Sequence, residues 1–168
     1  MNSEVIESSL YSSIDQLFRN DLFLLTYDVH ERTIAHRLAI YLEYRFAGFH
    51  VDCEYNNDLD SETGRKQVYY SNNSSGTGAY PDIIVHHRGL NGPNHNLLVI
   101  EIKKNSSATN EIDRDREKLY SYTASDGRSH LSYARGALVV LEVKELAGQF
   151  SIEWYENGRI VDSPTVHE

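Results

Sequence analysis

Two carboxylates and a lysine stand at the ends of two apolar segments in the middle of the chain. Asp82 precedes residues 83–85, and Glu101 and Lys103 close residues 97–102. Proline and glycine bound these segments, which predicts neighbouring strands joined by an exposed loop. The second segment is apolar at nearly every position, as in a central strand covered on both faces. Charged groups at the end of such a strand are costly to desolvate, which indicates a role beyond packing.

Oxygen atoms at these strand ends suit a divalent cation. The carboxylates of Asp82 and Glu101, with a strand carbonyl such as that of Ile102, are hard ligands for Mg²⁺ or Mn²⁺. Such an ion keeps several waters and still binds a substrate phosphate. Lys103 would then orient or deprotonate the attacking water, or stabilise charge in the transition state.

The order Pro81-Asp82 followed by Glu101-Ile102-Lys103 resembles the PD-(D/E)XK nuclease superfamily. The resemblance implies an α/β, restriction-endonuclease-like fold with a mixed central sheet flanked by helices. It also implies metal-dependent hydrolysis of phosphodiester bonds, with nucleic acid, and DNA in particular, as the partner. Residues 115–119 read Asp-Arg-Glu-Lys-Leu, similar to the Asp-x-x-Lys-Leu that follows the Glu-x-Lys strand in some members.

A plainer interpretation of the same residues stays open. Pro-Asp is an ordinary entry into a strand, and Glu-x-Lys on a strand is often a solvated pair of charges. A shared fold does not guarantee a shared function. The alternative is therefore a non-catalytic or partner-gated interaction protein built on a nuclease-like fold.

Glu31 is a further candidate metal ligand. It lies on the apolar stripe of a predicted helix over residues 28–46, together with Ile34 and Leu38. The resemblance implies that the helix before the sheet contributes a glutamate to the metal site. Asp28 and Glu31 also fit a capping box, with Asp28 as N-cap and Glu31 at the third helical position. Both interpretations stay open.

The remaining pattern predicts a single domain over residues 1–168. Asp115 falls on the inward stripe of a helix, where it would orient Lys103 or Lys118 or form an ordinary inward salt bridge. Residues 56–79 are expected to form a loop at the mouth of the site or a surface insertion. The other predicted elements are an extra N-terminal helix (3–19), a strand (50–55), a helix (110–124), a strand (136–143) and a C-terminal hairpin (150–161).

Composition restricts the partners and the compartment. A net charge of −9 argues against non-specific nucleic-acid binding, although several lysines and arginines flank the proposed site in sequence. The single cysteine, Cys53, is expected to be a buried strand residue. No apolar segment has the length of a membrane span and no signal region is recognisable, so we expect a cytoplasmic protein without a membrane partner. A nuclease with one site that cuts both strands is expected to be a homodimer, with the first helix as candidate interface.

Overall fold

The computed structural model describes residues 1–70, 76–126 and 131–167, with the backbone alone described over 162–167. Within these residues the chain forms three α-helices, eight β-strands and one short 3-10 helix. In chain order they are α1 (Ser3–Thr26), α2 (Glu31–Arg45), β1 (His50–Cys53), β2 (Gln67–Val68), β3 (Thr77–Gly78), β4 (Ile83–His86), β5 (Asn96–Lys104), α3 (Thr109–Thr123), β6 (Arg135–Leu141), the 3-10 helix (Lys144–Leu146), β7 (Phe150–Glu156) and β8 (Arg159–His167).

Six strands form one mixed sheet in the order β1-β4-β5-β6-β7-β8. Of the five pairs of neighbouring strands in this sheet, β5–β6 is parallel and the other four are antiparallel. A parallel pair needs a crossover connection, and α3 supplies it. β2 and β3 form a separate two-stranded sheet. The predicted mixed central sheet and C-terminal hairpin are confirmed at this level.

Helices cover both faces of the sheet. Leu98, Ile100 and Ile102 of β5 pack into one apolar cluster with residues of α1 and α2. Val99 belongs to the opposite cluster, which includes Leu119 of α3. The prediction that this strand is covered on both faces is confirmed, and its seven residues before Lys103 are all buried. None of the helices in the described parts of the chain is long and apolar enough to cross a membrane.

The first helix is longer than predicted. It continues past the Arg19–Asp21 region to Thr26, with a local departure from helical geometry at Asp21 (φ −133°, ψ 19°). The Asp21 carboxylate accepts a hydrogen bond from Arg37 Nε of α2 at 3.0 Å and another from the Tyr41 hydroxyl. Leu25, in the added turn, is fully buried. The predicted end of the helix is therefore a kink at Asp21. The contacts of Asp21 with α2 and the burial of Leu25 stabilise the helical turns that follow it.

The capping-box interpretation of Asp28 and Glu31 is wrong. Helix α2 begins at Glu31, and His30 is its N-cap, with Nδ1 accepting from the Arg32 N–H at 3.2 Å. Asp28 has a left-handed backbone (φ 51°), and its carboxylate accepts from Lys104 Nζ at 2.7 Å instead. The side chain of Glu31 is therefore not engaged in capping at the third helical position.

Cys53 is exposed, so its predicted burial is wrong. It ends β1, which is an edge strand of the main sheet. An edge strand has a neighbour on one side only, and the alternating pattern of its residues did not indicate which strand would lie at the edge.

Candidate active site

The ends of β4 and β5 bring the two predicted carboxylates to one place. The antiparallel register pairs Ile83 with Ile100, so Asp82, one residue before β4, lies next to Glu101. Asp82 Oδ2 accepts a hydrogen bond from the Ile102 N–H at 2.7 Å. This bond holds the Asp82 side chain against the last residues of β5, at Ile102.

Lys103 lies between the strand end and two helices. Its Nζ is 3.1 Å from the Ile102 carbonyl oxygen, 3.3 Å from Glu31 Oε2 and 2.9 Å from Asp115 Oδ2. Burial alone would lower the pKa of Lys103, but the hydrogen bond to Asp115 and the charges of Asp115, Glu31 and Asp82 outweigh it and raise the pKa above its usual value. The ammonium therefore keeps its proton at neutral pH.

A second ammonium, that of Lys118, contacts the same group of carboxylates. Lys118 Nζ lies 2.5 Å from Asp115 Oδ1 and 3.5 Å from Glu101 Oε2. Asp115, which is 3% exposed, thus contacts both lysines. Both of the orienting roles considered for Asp115 from the sequence correspond to contacts in the structure.

Glu31 joins this group from α2. Besides its contact with Lys103, its other carboxylate oxygen accepts a hydrogen bond from Ser107 Oγ, which precedes α3, at 3.1 Å. The helix before the sheet therefore places a glutamate beside Lys103, and its role as a metal ligand stays a prediction.

The negative charges of Asp82 and Glu101 are buried, and neighbouring donors and positive charges compensate them poorly. Burial raises the pKa of Asp82 above its usual value, although the Ile102 N–H and the Lys103 charge oppose it. Glu101 is 1% exposed, and burial together with the neighbouring Asp82 charge raises its pKa well above the usual value. Among the described residues, Glu101 Oε1 has no hydrogen-bond partner. Such groups are rare in folded proteins and often mark functional sites.

The charges of the site do not balance. Four carboxylates, those of Glu31, Asp82, Glu101 and Asp115, face the two ammonium groups of Lys103 and Lys118. With every group ionised, two negative charges remain in excess. In the described parts of the chain no group of three or more His, Cys, Asp or Glu side chains is arranged to hold a metal ion. Instead, the Lys103 ammonium links Glu31 to Asp115, and the Lys118 ammonium links Asp115 to Glu101.

Two open pockets meet at this site. One, of about 410 Å³, is lined by three basic and three acidic side chains, with Tyr70 and Tyr80 also in its lining: Lys103, Arg114 and Lys118, and Glu31, Glu111 and Asp115. We call it the cationic pocket after its three basic side chains. A second, of about 460 Å³, reaches Asp82 and shares Glu31 and Tyr80 with the first. From the predicted loop over residues 56–79, Tyr70, Gly78 and Ala79 line the first pocket, whereas residues 71–75 of that loop lie outside the described residues.

Sequence reasoning named Lys118 only as a partner of Asp115, without a role of its own in the site, and did not identify Ser107. Lys118 lies three positions after Asp115 on α3, so the two share one helix face. That spacing was the available signal. Its significance depends on α3 packing across the end of β5, which no local pattern shows.

Comparison with known proteins adds no relative. The chain matches no protein-family model, no curated protein and no solved structure.

Proposed function

We propose that the protein is a Mg²⁺- or Mn²⁺-dependent nuclease of the PD-(D/E)XK type, with a restriction-endonuclease-like fold, that hydrolyses phosphodiester bonds of DNA. One observation carries the proposal: the site holds an excess of two formal negative charges in buried or half-buried carboxylates, directly beside a pocket lined by lysine and arginine. A divalent cation neutralises such an excess, and the cationic pocket complements a phosphate.

The available oxygen atoms fit a hard divalent cation. They are the unpartnered Oε1 of Glu101, the Asp82 carboxylate and the carbonyl oxygen of Ile102, with Glu31 as an auxiliary ligand. Mg²⁺ is usually held by only one or two carboxylates together with waters, so this set is large enough. When bound, the cation would supply Lewis-acid polarisation of the phosphate.

Lys103 acts in this proposal as a fixed positive charge. In the absence of a cation, the surrounding carboxylates raise its pKa and favour the protonated form, which suits the orienting and charge-stabilising roles considered from the sequence better than the deprotonating one. It can donate hydrogen bonds to the attacking water or to an oxygen that gains charge in the transition state. Asp115 is a positioning residue, since it contacts the Nζ atoms of both Lys103 and Lys118.

The acidic character of the whole chain does not oppose this role. Arg114, Lys103 and Lys118 bring three basic side chains into one pocket, among three carboxylates, and a phosphate would be bound beside them. Local charge of this kind positions a nucleic-acid backbone without a basic surface elsewhere, although the affinity will depend strongly on salt.

One feature favours the non-catalytic or partner-gated alternative. Lys103 Nζ already contacts the Ile102 carbonyl, Glu31 and Asp115, so the ion pairs partly satisfy the site without a metal. In the gated form of this alternative, a partner would displace these ion pairs. The two functions differ in whether the protein alone cleaves nucleic acid.

The test is cleavage of supercoiled, linear and single-stranded DNA, and of RNA, in Mn²⁺. We expect Lys103→Met to fold normally and to reduce the cleavage rate by roughly a hundredfold or more, because a charge that stabilises the transition state is lost. Lys104→Met is the matched control, since the neighbouring Lys104 binds Asp28 instead of the site. It should cleave at nearly the wild-type rate.

Two results would reject this assignment. Undiminished cleavage by Lys103→Met would exclude the mechanism. No cleavage of any of these substrates by the wild-type protein would favour the non-catalytic or gated function.

An active endonuclease is further proposed to be a symmetric homodimer, because each chain carries one proposed site and a duplex has two strands. Helix α1 is the candidate interface, with Phe23 and Tyr27 exposed near its carboxyl end. We expect light scattering to give twice the chain mass. A monomer that cuts both strands in one event would contradict the dimer.

A further inference from the structure

A third cavity, of about 420 Å³, adjoins the cationic pocket. Its lining includes Tyr69, Tyr70 and Tyr120, with Glu117, Ser121 and Asn157 among its polar residues. We call it the aromatic cavity. Tyr70 lines both spaces, so the two lie on either side of one side chain. The proposed hydrolysis makes no use of this cavity.

The aromatic walls are held in place by α3 and the sheet. The Tyr69 N–H donates to Ser121 Oγ at 2.8 Å, which fastens this segment to α3. The Tyr120 ring packs edge-on against Tyr155 of β7 with centroids 5.1 Å apart, yet 38% of the residue is exposed. The Tyr70 hydroxyl lies 3.5 Å from Arg114 Nε, at the boundary with the cationic pocket. A preformed aromatic surface binds a flat ring at low entropic cost.

The two spaces differ in their charged side chains. The described residues around the aromatic cavity include no lysine or arginine, and they include the carboxylate of Glu117. The cationic pocket has basic side chains among its carboxylates, those of Lys103, Arg114 and Lys118. The carboxylate and amide oxygens of the aromatic cavity suit the N–H groups of a nucleobase edge, and its rings suit the face of the base.

We propose that the aromatic cavity binds the base of a nucleotide next to the scissile phosphate, while the phosphate lies in the cationic pocket across Tyr70. The inference rests on the proposed nuclease function and extends it to substrate positioning. Tyr120 stacks on the base, and Glu117 accepts a hydrogen bond from its edge. A nucleotide carries a flat, neutral base and an anionic phosphate on one sugar, which corresponds to the arrangement of the two spaces.

The test measures binding without cleavage. A short single-stranded DNA is titrated into the protein in EDTA, and one base at a time is replaced by an abasic site. At one position we expect the wild-type protein to lose roughly tenfold in affinity, the usual size of one aromatic stacking contact. In Tyr120→Leu the same abasic replacement should cost nothing, because the contact is already missing. Tyr44→Leu, which changes a 78% exposed tyrosine on α2, is the matched control and should behave as wild type.

Each result decides the inference. An abasic penalty that is equal in wild type and Tyr120→Leu would overturn it, and so would the absence of any position-specific penalty or of any DNA binding. Tyr120→Phe keeps the ring and should retain the penalty, which guards against a folding defect in the leucine variant. Position-specific binding without cleavage would reject the nuclease activity alone, whereas cleavage with an unchanged penalty would reject the cavity assignment alone.

Discussion

Acidic groups lie near both ends of β4, and their surroundings compensate them differently. At the end near His86, Asp52 of the neighbouring edge strand β1 accepts hydrogen bonds from His86 Nε2 at 2.9 Å and from Arg88 Nε at 2.8 Å, with Arg88 Nη2 at 2.5 Å from its other oxygen. Burial opposes ionisation there, but these donors outweigh it and lower the pKa of Asp52 below its usual value. We call this the compensated end.

The opposite end holds Asp82 and Glu101, whose pKa values are raised by burial. Asp52 lies on the edge strand β1, and its side chain is more exposed than that of Glu101, so depth contributes to the difference together with the donors. The fold can supply donors to a carboxylate, as it does for Asp52. Where the fold leaves a buried carboxylate without donors, stability is lost. That cost indicates a function that needs the carboxylate available for another ligand.

The largest expected difference between the ends is the response to metal. Mn²⁺ should raise the melting temperature of the wild-type protein, because an ion that binds only the folded state stabilises it by about 2.7 kcal/mol at a hundred times its dissociation constant. Asp82→Ala should abolish this shift, and Asp52→Ala should preserve it. Differential scanning calorimetry with and without Mn²⁺ measures both. An unchanged shift in Asp82→Ala would place the ion elsewhere.

Removing one charge at each end should change stability in opposite directions. Asp52→Asn loses charged hydrogen bonds and should lower the free energy of unfolding by about 1.5–3 kcal/mol. Glu101→Gln removes a buried charge that Asp82 repels and should raise it by about 1 kcal/mol. Urea denaturation at pH 7 compares the two variants. If both are destabilised equally, the comparison between the ends fails.

The smallest expected effect is a pH dependence of opposite sign. Asp52 has a lowered folded-state pKa, so its stabilisation is present above its unfolded value of 3.8 and is lost as the pH falls through the folded value. The penalty of Asp52→Asn should therefore shrink in acid. Glu101 has a raised pKa, so its destabilisation grows as the pH rises above 4.5. The advantage of Glu101→Gln should grow from pH 4 towards neutrality in the same denaturation assay, and a constant advantage would refute the raised pKa.

Local pattern predicted the strands that carry the site and the order of their charged residues. Apolar segments ending in Asp82 and in Glu101-x-Lys103 correspond to β4 and β5 because a buried central strand has a distinctive composition. The boundaries of α1 and α2 were predicted less well. Asp21 and Asp28 resemble ordinary helix-boundary residues, but their carboxylates bind Arg37 and Lys104, which lie far from them in the chain.

The partners of each charge could not be predicted from the sequence. Glu101 and Lys103 share one strand face, which suggested that they would pair. In the structure Lys103 turns to Glu31 and Asp115, and Lys118 takes the place beside Glu101. Among several charges within reach of one another, the pairing depends on how α3 crosses the sheet, and that depends on packing along the whole helix.

The crossover of α3 also has a consequence for the order in which the site is assembled during folding. Glu101, Lys103, Asp115 and Lys118 belong to two consecutive elements, β5 and α3, so a short chain closure is enough to bring them together. Glu31 lies 72 residues from Lys103 and can join only after β1 and β4 have been placed. Early folding species that contain β5 and α3 would therefore hold four of the six charged groups before Asp82 and Glu31 join them.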